Sequence, residues 1–168
     1  AALFHPAKYA IFTEKAMSNI GLYKYDEAEK LLTESIRLNP SYEKSQIQMA
    51  ICRKLKKDVV SAEEILKKWL IIKPNSVSAL NNLANIYTEQ NKMQEAETCY
   101  QKTIDIAPTN AKAIVNMGYC LQLKGNIEKA EELFTKGLEI APNDSFAISK
   151  FAFLTAQKGE TDKALEIL

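Results

Sequence analysis

The side chains that could carry out catalysis or bind a metal are few in this chain and lie far apart in the sequence. His5 is the only histidine, and it precedes a proline at the expected end of a helix. A general-base site or a serine triad would therefore lack the histidine that it usually uses. Cys52, Cys99 and Cys120 do not show the spacing of zinc ligands, and the five glycines are too scattered to form a phosphate-binding loop. We therefore predict that the chain is not an enzyme and binds neither metal nor cofactor.

Two pairs of adjacent glutamates are the remaining candidates for acid–base chemistry. Glu63 and Glu64 form one pair, and Glu131 and Glu132 form the other. Both pairs fall within segments of helical periodicity, on the side away from the apolar stripe. We expect them to be solvated on an outer helix face.

Charge and hydropathy exclude further classes of function. The 22 basic and 21 acidic side chains leave a net charge of +1, which gives no general attraction to nucleic acid or to an anionic membrane. No apolar run approaches the ~20 residues that a membrane-spanning helix needs. The buried character expected of Cys52 and Cys120 agrees with a reducing compartment, so we predict a cytoplasmic location, with the periplasm or another compartment as the alternative. We expect the partner to be a protein or a peptide.

The elements that must position any functional residue come from an internal repeat. Proline recurs every 34 residues, at Pro6, Pro40, Pro74, Pro108 and Pro142. Alanine keeps the same step at Ala28, Ala62, Ala96, Ala130 and Ala164. A third set of small residues is Ala16, Ala50, Ala84, Gly118 and Ala152. A fixed period of this length is typical of a tandem array of small stacked units.

Each period contains two amphipathic helices. Between Pro74 and Pro108, apolar residues at Leu80, Leu83 and Tyr87 follow helical spacing, and a second such stripe begins at Met93 after a polar break. We therefore predict a helical hairpin in every period and no β-structure. The turns are expected near Lys24, Asp58, Lys92, Gly125 and Gly159.

With proline counted as position 32, the unit resembles the tetratricopeptide repeat along the whole chain. The third unit carries the family pattern as Leu80, Leu83, Ala84, Tyr87, Ala96, Tyr100, Thr103 and Pro108. The resemblance implies an all-α superhelix, a solenoid of stacked antiparallel helix pairs. It also implies that the small residues at positions 8 and 20 are buried where the two helices of a hairpin cross.

The same register predicts the domain organisation. We expect one solenoid made of repeats at residues 9–42, 43–76, 77–110 and 111–144, with the tail of an earlier repeat at 1–8 and a truncated repeat at 145–168. This interpretation makes the chain a fragment of a longer array, with unpaired apolar ends near Phe4 and Leu168 that drive self-association. Trp69 occupies position 27, which is normally small, and we expect its indole to be mostly buried.

Members of the family line a concave groove with positions 2, 5, 6, 9, 12 and 13 of each first helix. This mapping predicts a peptide-binding set of Ile51, Leu55, Asn81, Asn82, Asn85, Lys112, Asn116, Tyr119, Leu123, Phe146, Lys150 and Phe153. Other side chains expected along the groove are Met17, Ile20, Ile47, Thr88 and Val115, bordered by Lys44 and Lys54. We expect Tyr119 to be a hot spot, with acidic flanks on the partner.

The resemblance leaves three functions open. The first is a scaffold that binds a peptide or an amphipathic helix in its groove. The second is a substrate-recruiting or regulatory arm of a larger enzyme, such as one similar to O-linked N-acetylglucosamine transferase, whose asparagine ladder only Asn82 and Asn116 retain here. The third is a self-assembling array. A full carboxylate clamp of the chaperone-adaptor type is not expected, because Phe146 replaces one of its lysines.

Overall fold

The computed structural model describes residues 7–167, which fold into ten α-helices with no strand among them. The helices are α1 (Lys8–Gly21), α2 (Tyr25–Leu38), α3 (Glu43–Leu55), α4 (Val59–Ile72), α5 (Val77–Glu89), α6 (Met93–Ile106), α7 (Ala111–Leu123), α8 (Ile127–Ile140), α9 (Ser145–Gln157) and α10 (Thr161–Ile167). The predicted all-α fold of successive helix pairs is confirmed. Phe4, His5, Pro6 and Leu168 lie outside the described residues.

The chain divides into two compact units, Ala1–Asn82 and Leu83–Leu168, with the boundary inside α5. In the first unit α1 packs on α2, α3 packs on α4, and α2 contacts α3. In the second unit α7 packs on α8 and α9 packs on α10, while α6 contacts α7 and α8 contacts α9. Each unit is therefore built by stacking one helical hairpin on the next.

The turns inside the hairpins share one backbone conformation. At the fifteenth position of every period the backbone φ is positive, at Tyr23 (60°), Lys57 (70°), Asn91 (61°), Gly125 (81°) and Gly159 (86°). The following residue then donates its backbone N–H into the end of the first helix, as Lys92 N does to Tyr87 O at 2.8 Å. All five predicted turns are confirmed, and a left-handed residue reverses the chain in each of them.

Small residues allow the two helices of a hairpin to approach each other. The side chains at positions 8 and 20 are buried in every period, and Ala96 and Ala130 are fully buried as predicted. At Gly118 the space for a methyl group is nearly filled, because a Cβ there would lie 3.0 Å from Cε1 of Phe134. The crossing therefore admits no large side chain on this helix.

Polar side chains cap several first helices where the previous period ends. Asn110 accepts a hydrogen bond from Ala113 N at 3.0 Å, and Asp144 accepts one from Ala147 N at 2.8 Å. Ser76 receives the N–H of Ala79 at 3.1 Å in the same way. These caps satisfy helix N-terminal donors and fix where each new hairpin starts.

Trp69 is buried in the first unit, with 3% of its surface exposed, which confirms the prediction for this side chain. Its indole N–H has no hydrogen-bond partner among the described residues. Burial of the large ring therefore carries a desolvation cost that its packing must offset.

Ion pairs spaced 27 residues apart join neighbouring hairpins within each unit. Lys124 Nζ lies 2.5 Å from Glu97, and Lys158 Nζ lies 2.7 Å from Glu131. Lys56 makes the corresponding 2.7 Å contact in the first unit, with Glu29. The Glu131 side chain stays 29% exposed, so it remains in contact with solvent as expected and also holds the next hairpin.

These ion pairs raise the pKa of both lysines in the second unit. The hydrogen bond from Glu97 raises the pKa of Lys124 above its usual 10.5, and Glu131 has the same effect on the pKa of Lys158. Both lysines therefore stay protonated through the whole neutral range. The pairs contribute to stacking at any physiological pH.

Candidate functional site

The first helices of the second unit carry an aromatic cluster that contains a lysine. The ring centroids of Tyr119 on α7 and Phe146 on α9 lie 6.2 Å apart, with the rings nearly perpendicular at 80°. Lys150 Nζ lies 4.1 Å from the Tyr119 centroid and 5.3 Å from that of Phe146. Edge-to-face aromatic contact and cation–π attraction therefore hold three of the predicted site residues together.

Large apolar side chains on these two first helices remain in solvent. Phe146 is 42% exposed, Phe153 58% and Leu123 49%. They occupy first-helix positions that the hairpin crossing does not need, so the core gains little from them. This exposed apolar surface is the strongest sign of a binding face in the second unit.

A polar network joins α5, α6 and α7 in the second unit. Tyr100 Oη donates to Asn85 Oδ1 at 2.6 Å, and Asn116 Nδ2 donates to the same oxygen at 3.0 Å. Burial raises the pKa of the Tyr100 phenol, so the hydroxyl remains a donor. Because Asn85 Oδ1 accepts both bonds, the amide nitrogen of the half-buried Asn85 keeps its donor capacity, whereas Asn116 is buried at 9% exposure.

One pair of polar residues at groove positions was not predicted from the sequence. Gln122 Nε2 donates to Gln157 Oε1 at 3.0 Å, joining α7 to α9 beside the exposed apolar residues. Gln122 Oε1 is buried and has no hydrogen-bond partner among the described residues. Both glutamines occupy groove positions of the repeat, so the same mapping that selected Leu123 would have found them.

Several expected groove residues are buried instead. Val115 and Ile47 are 2% and 5% exposed, and Thr88 bonds to Ala84 O of its own helix at 3.0 Å. Val115 fits against the Cα of Gly137, where a β-carbon would overlap its methyl group. Val115 belongs to the hairpin interior, because Gly137 on the neighbouring second helix is small enough to admit it.

The predicted residues near the unit boundary are also less available than expected. Asn81 is 7% exposed, and its Oδ1 is buried with no partner in the described part of the chain. Asn82 donates its Nδ2 to Ser78 O of its own helix at 2.8 Å. Neither amide is presented to a partner in this conformation.

The remaining predicted residues lie on α3 and α7 and differ in their exposure. In the first unit Ile51 is half-buried and Leu55 is 39% exposed on α3. Lys112 lies on α7 and is exposed. Lys44, expected to attract an acidic partner, already pairs with Glu14 at 2.6 Å, so the expected basic border is weaker than its sequence suggests.

Two of the three cysteines are packing residues. Cys52 and Cys120 are fully buried, and their thiols contact the backbone oxygens of Tyr25 at 3.4 Å and Met93 at 3.7 Å. Burial raises the pKa of both thiols, whereas a nucleophilic cysteine needs a lowered pKa. Across residues 7–167, no group of three or more potential metal-binding side chains comes together, and no helix there is long and apolar enough to cross a bilayer.

Comparison with solved structures identifies the fold. PilF of Pseudomonas aeruginosa superposes with a TM-score of 0.84 at 18% identity, over 95% of this chain and 73% of that protein. A thermophilic tetratricopeptide-repeat protein of Thermus thermophilus gives a TM-score of 0.84 at 19% identity, over 95% of this chain and 87% of its own. MamA of Desulfovibrio magneticus RS-1 superposes with a TM-score of 0.75 at 19% identity, over 95% of this chain and 90% of that protein.

Sequence comparison adds a family to this fold. None of the curated protein sequences matches the chain. The tetratricopeptide-repeat profile matches residues 75–143, which hold α5, α6, α7 and α8. The 34-residue period continues on both sides of that segment. The segment 75–143 therefore matches the tetratricopeptide-repeat family, and the rest of the described chain shares its period and its helical fold.

Proposed function

We propose that this chain is a protein-interaction scaffold, and that its second unit binds a partner segment along α7 and α9. The exposure of Leu123, Phe146 and Phe153 on neighbouring first helices carries the proposal. Apolar groups that no core requires are stabilised when a partner covers them, at about 25 cal/mol for each Å² removed from water.

The chemistry of the face describes the partner. Apolar side chains of the partner would cover Leu123 and Phe153, while Tyr119 supplies a partly buried aromatic anchor. The Lys150 ammonium, held over two rings, favours a carboxylate beside that anchor. An amphipathic helix satisfies the apolar requirement, and an extended segment would also use the amide nitrogen of Asn85, whose oxygen Asn116 holds in place.

The test compares partner recovery by the immobilised chain and two variants. The Tyr119→Ala/Phe153→Ala double variant should lose about tenfold or more of the recovered partner, since anchor residues of this kind cost about 2 kcal/mol or more. Leu165→Ala is the matched control, because Leu165 is 67% exposed on the second helix α10. Helical content by circular dichroism should be unchanged in all three proteins.

Two results would refute the proposal. Recovery that survives the double variant would place the binding surface elsewhere. Equal loss in the Leu165→Ala control would mean that binding reflects general exposure of apolar groups.

A further inference from the structure

The outer face of α4 in the first unit departs from the pattern of every other second helix. Val60 is 68% exposed and Ile71 is 80% exposed, although nothing in the hairpin packing requires an apolar residue at either position. The equivalents of Val60 in the other periods are Asp26, Gln94, Glu128 and Asp162. The equivalents of Ile71 are Arg37, Asp105 and Glu139. Both apolar exceptions therefore occur together, on one helix.

The two exceptions share a stripe with charged residues. Val60, Glu64, Lys67 and Ile71 are spaced by four, three and four residues, which places them within ~60° of arc on a helix with 3.6 residues per turn. The side chains of Glu64 and Lys67 are 62% and 52% exposed. The same spacing forms the contact seam of paired helices in coiled coils.

The stripe is complementary to itself under a two-fold rotation. Reversing the helix about the midpoint between Ile65 and Leu66 exchanges Val60 with Ile71, and it exchanges Glu64 with Lys67. The exchanged charges are opposite in sign, so the Glu64 carboxylate of one copy meets the Lys67 ammonium of the other. A parallel arrangement would instead place like charges opposite each other, which is unfavourable.

We propose that the outer face of α4 pairs antiparallel with α4 of a second copy of this chain. Each Val60 then contacts Ile71 of the other copy, and the central glutamates face the central lysines. A self-complementary patch of this kind is what an isologous two-fold interface requires. Intrahelical pairs such as Glu64–Lys68, at 3.7 Å, can exchange for contacts across the interface because their side chains remain in solvent.

The size of the patch sets the strength of the association. One four-turn helix on each side buries less than the roughly 1,200 Å² of a standard interface. The dimer is therefore weak, with a dissociation constant on the order of 0.1 mM. Sedimentation equilibrium from about 10 µM to about 1 mM spans that value.

The first variant gives α4 the charged residue types that other second helices carry at the positions of Val60 and Ile71. Val60→Asp with Ile71→Glu introduces the residue types found at Asp26 and Glu139, so the fold is preserved. We expect the dimer dissociation constant to rise at least tenfold while the thermal midpoint stays unchanged. The Tyr119→Ala/Phe153→Ala variant should dimerise like the parent chain, which separates this face from the groove.

Charge reversal gives a test that only helix pairing can pass. Glu64→Lys makes the stripe basic, and Lys67→Glu with Lys68→Glu makes it acidic, so each variant alone should be monomeric. An equimolar mixture should recover association, because unlike stripes now face each other. The proposal is overturned if the parent chain is monomeric at about 1 mM, or if either charge variant alone dimerises like the parent.

Discussion

Substituting Gly137 by alanine tests how closely α7 and α8 approach. Gly137 is buried within α8, and a β-carbon built on it would overlap Cγ2 of Val115. The next nearest atoms, Val115 Cβ at 3.7 Å and Ala111 O at 3.9 Å, are at ordinary contact distances. One methyl group of one residue is therefore responsible for the whole conflict.

Two opposing free-energy changes decide whether Gly137→Ala stabilises or destabilises the chain. Glycine to alanine inside a helix normally stabilises by about 0.5–1 kcal/mol. Overpacking a filled interior costs about 1–3 kcal/mol. Val115 is 2% exposed and β-branched, so its rotamer cannot change cheaply on a helix. We expect Gly137→Ala to destabilise the chain by about 1 kcal/mol, the difference between these two effects.

A second background isolates the contact. Val115→Ala removes the conflicting methyl and by itself costs about 1.6 kcal/mol or more for two buried groups. In that background Gly137→Ala should stabilise by about 1 kcal/mol, so the two sites should be coupled by about 2 kcal/mol. Urea denaturation of the four proteins measures the coupling. Stabilisation by Gly137→Ala in the parent chain, or an equal change in both backgrounds, would refute the close approach.

Two further predictions concern the turns and the stacking. Tyr23 has a positive φ of 60° and an exposed side chain, so Tyr23→Gly should raise the free energy of unfolding by up to about 1 kcal/mol, measured by denaturant titration; a decrease would contradict backbone strain at this turn. Replacing Lys124 by methionine removes its bond to Glu97 and should lower the thermal midpoint at low salt, with the difference shrinking in about 1 M NaCl. Since folding raises the pKa of Lys124 above 10.5, the stability that the ion pair contributes is present at neutral pH. It is lost as the pH rises through the raised pKa. A difference in thermal midpoint between the parent and the methionine variant that persists above that pH would contradict the ion pair.

The sequence alone determined the helices, their turns and the residues at the hairpin crossings. These features depend on local periodicity and on small residues that recur at one fixed step, as at Ala96 and Ala130. In a repeat, equivalent positions have the same structural environment in every period. A residue type that recurs at one position therefore predicts that environment better than a single occurrence does. The burial of Trp69 also followed from its place in the register.

Only the tertiary structure decided which groove positions face solvent and which polar groups pair. Val115 is buried because Gly137, 22 residues later, leaves room for it, and the register alone does not weigh one side chain against another. The bonds that orient Asn85 and tie Glu131 to Lys158 join different helices, so their partners are set by how the hairpins stack. Local pattern fixes which face of a helix is apolar, whereas atom-to-atom contact depends on the volumes of residues that are distant in sequence.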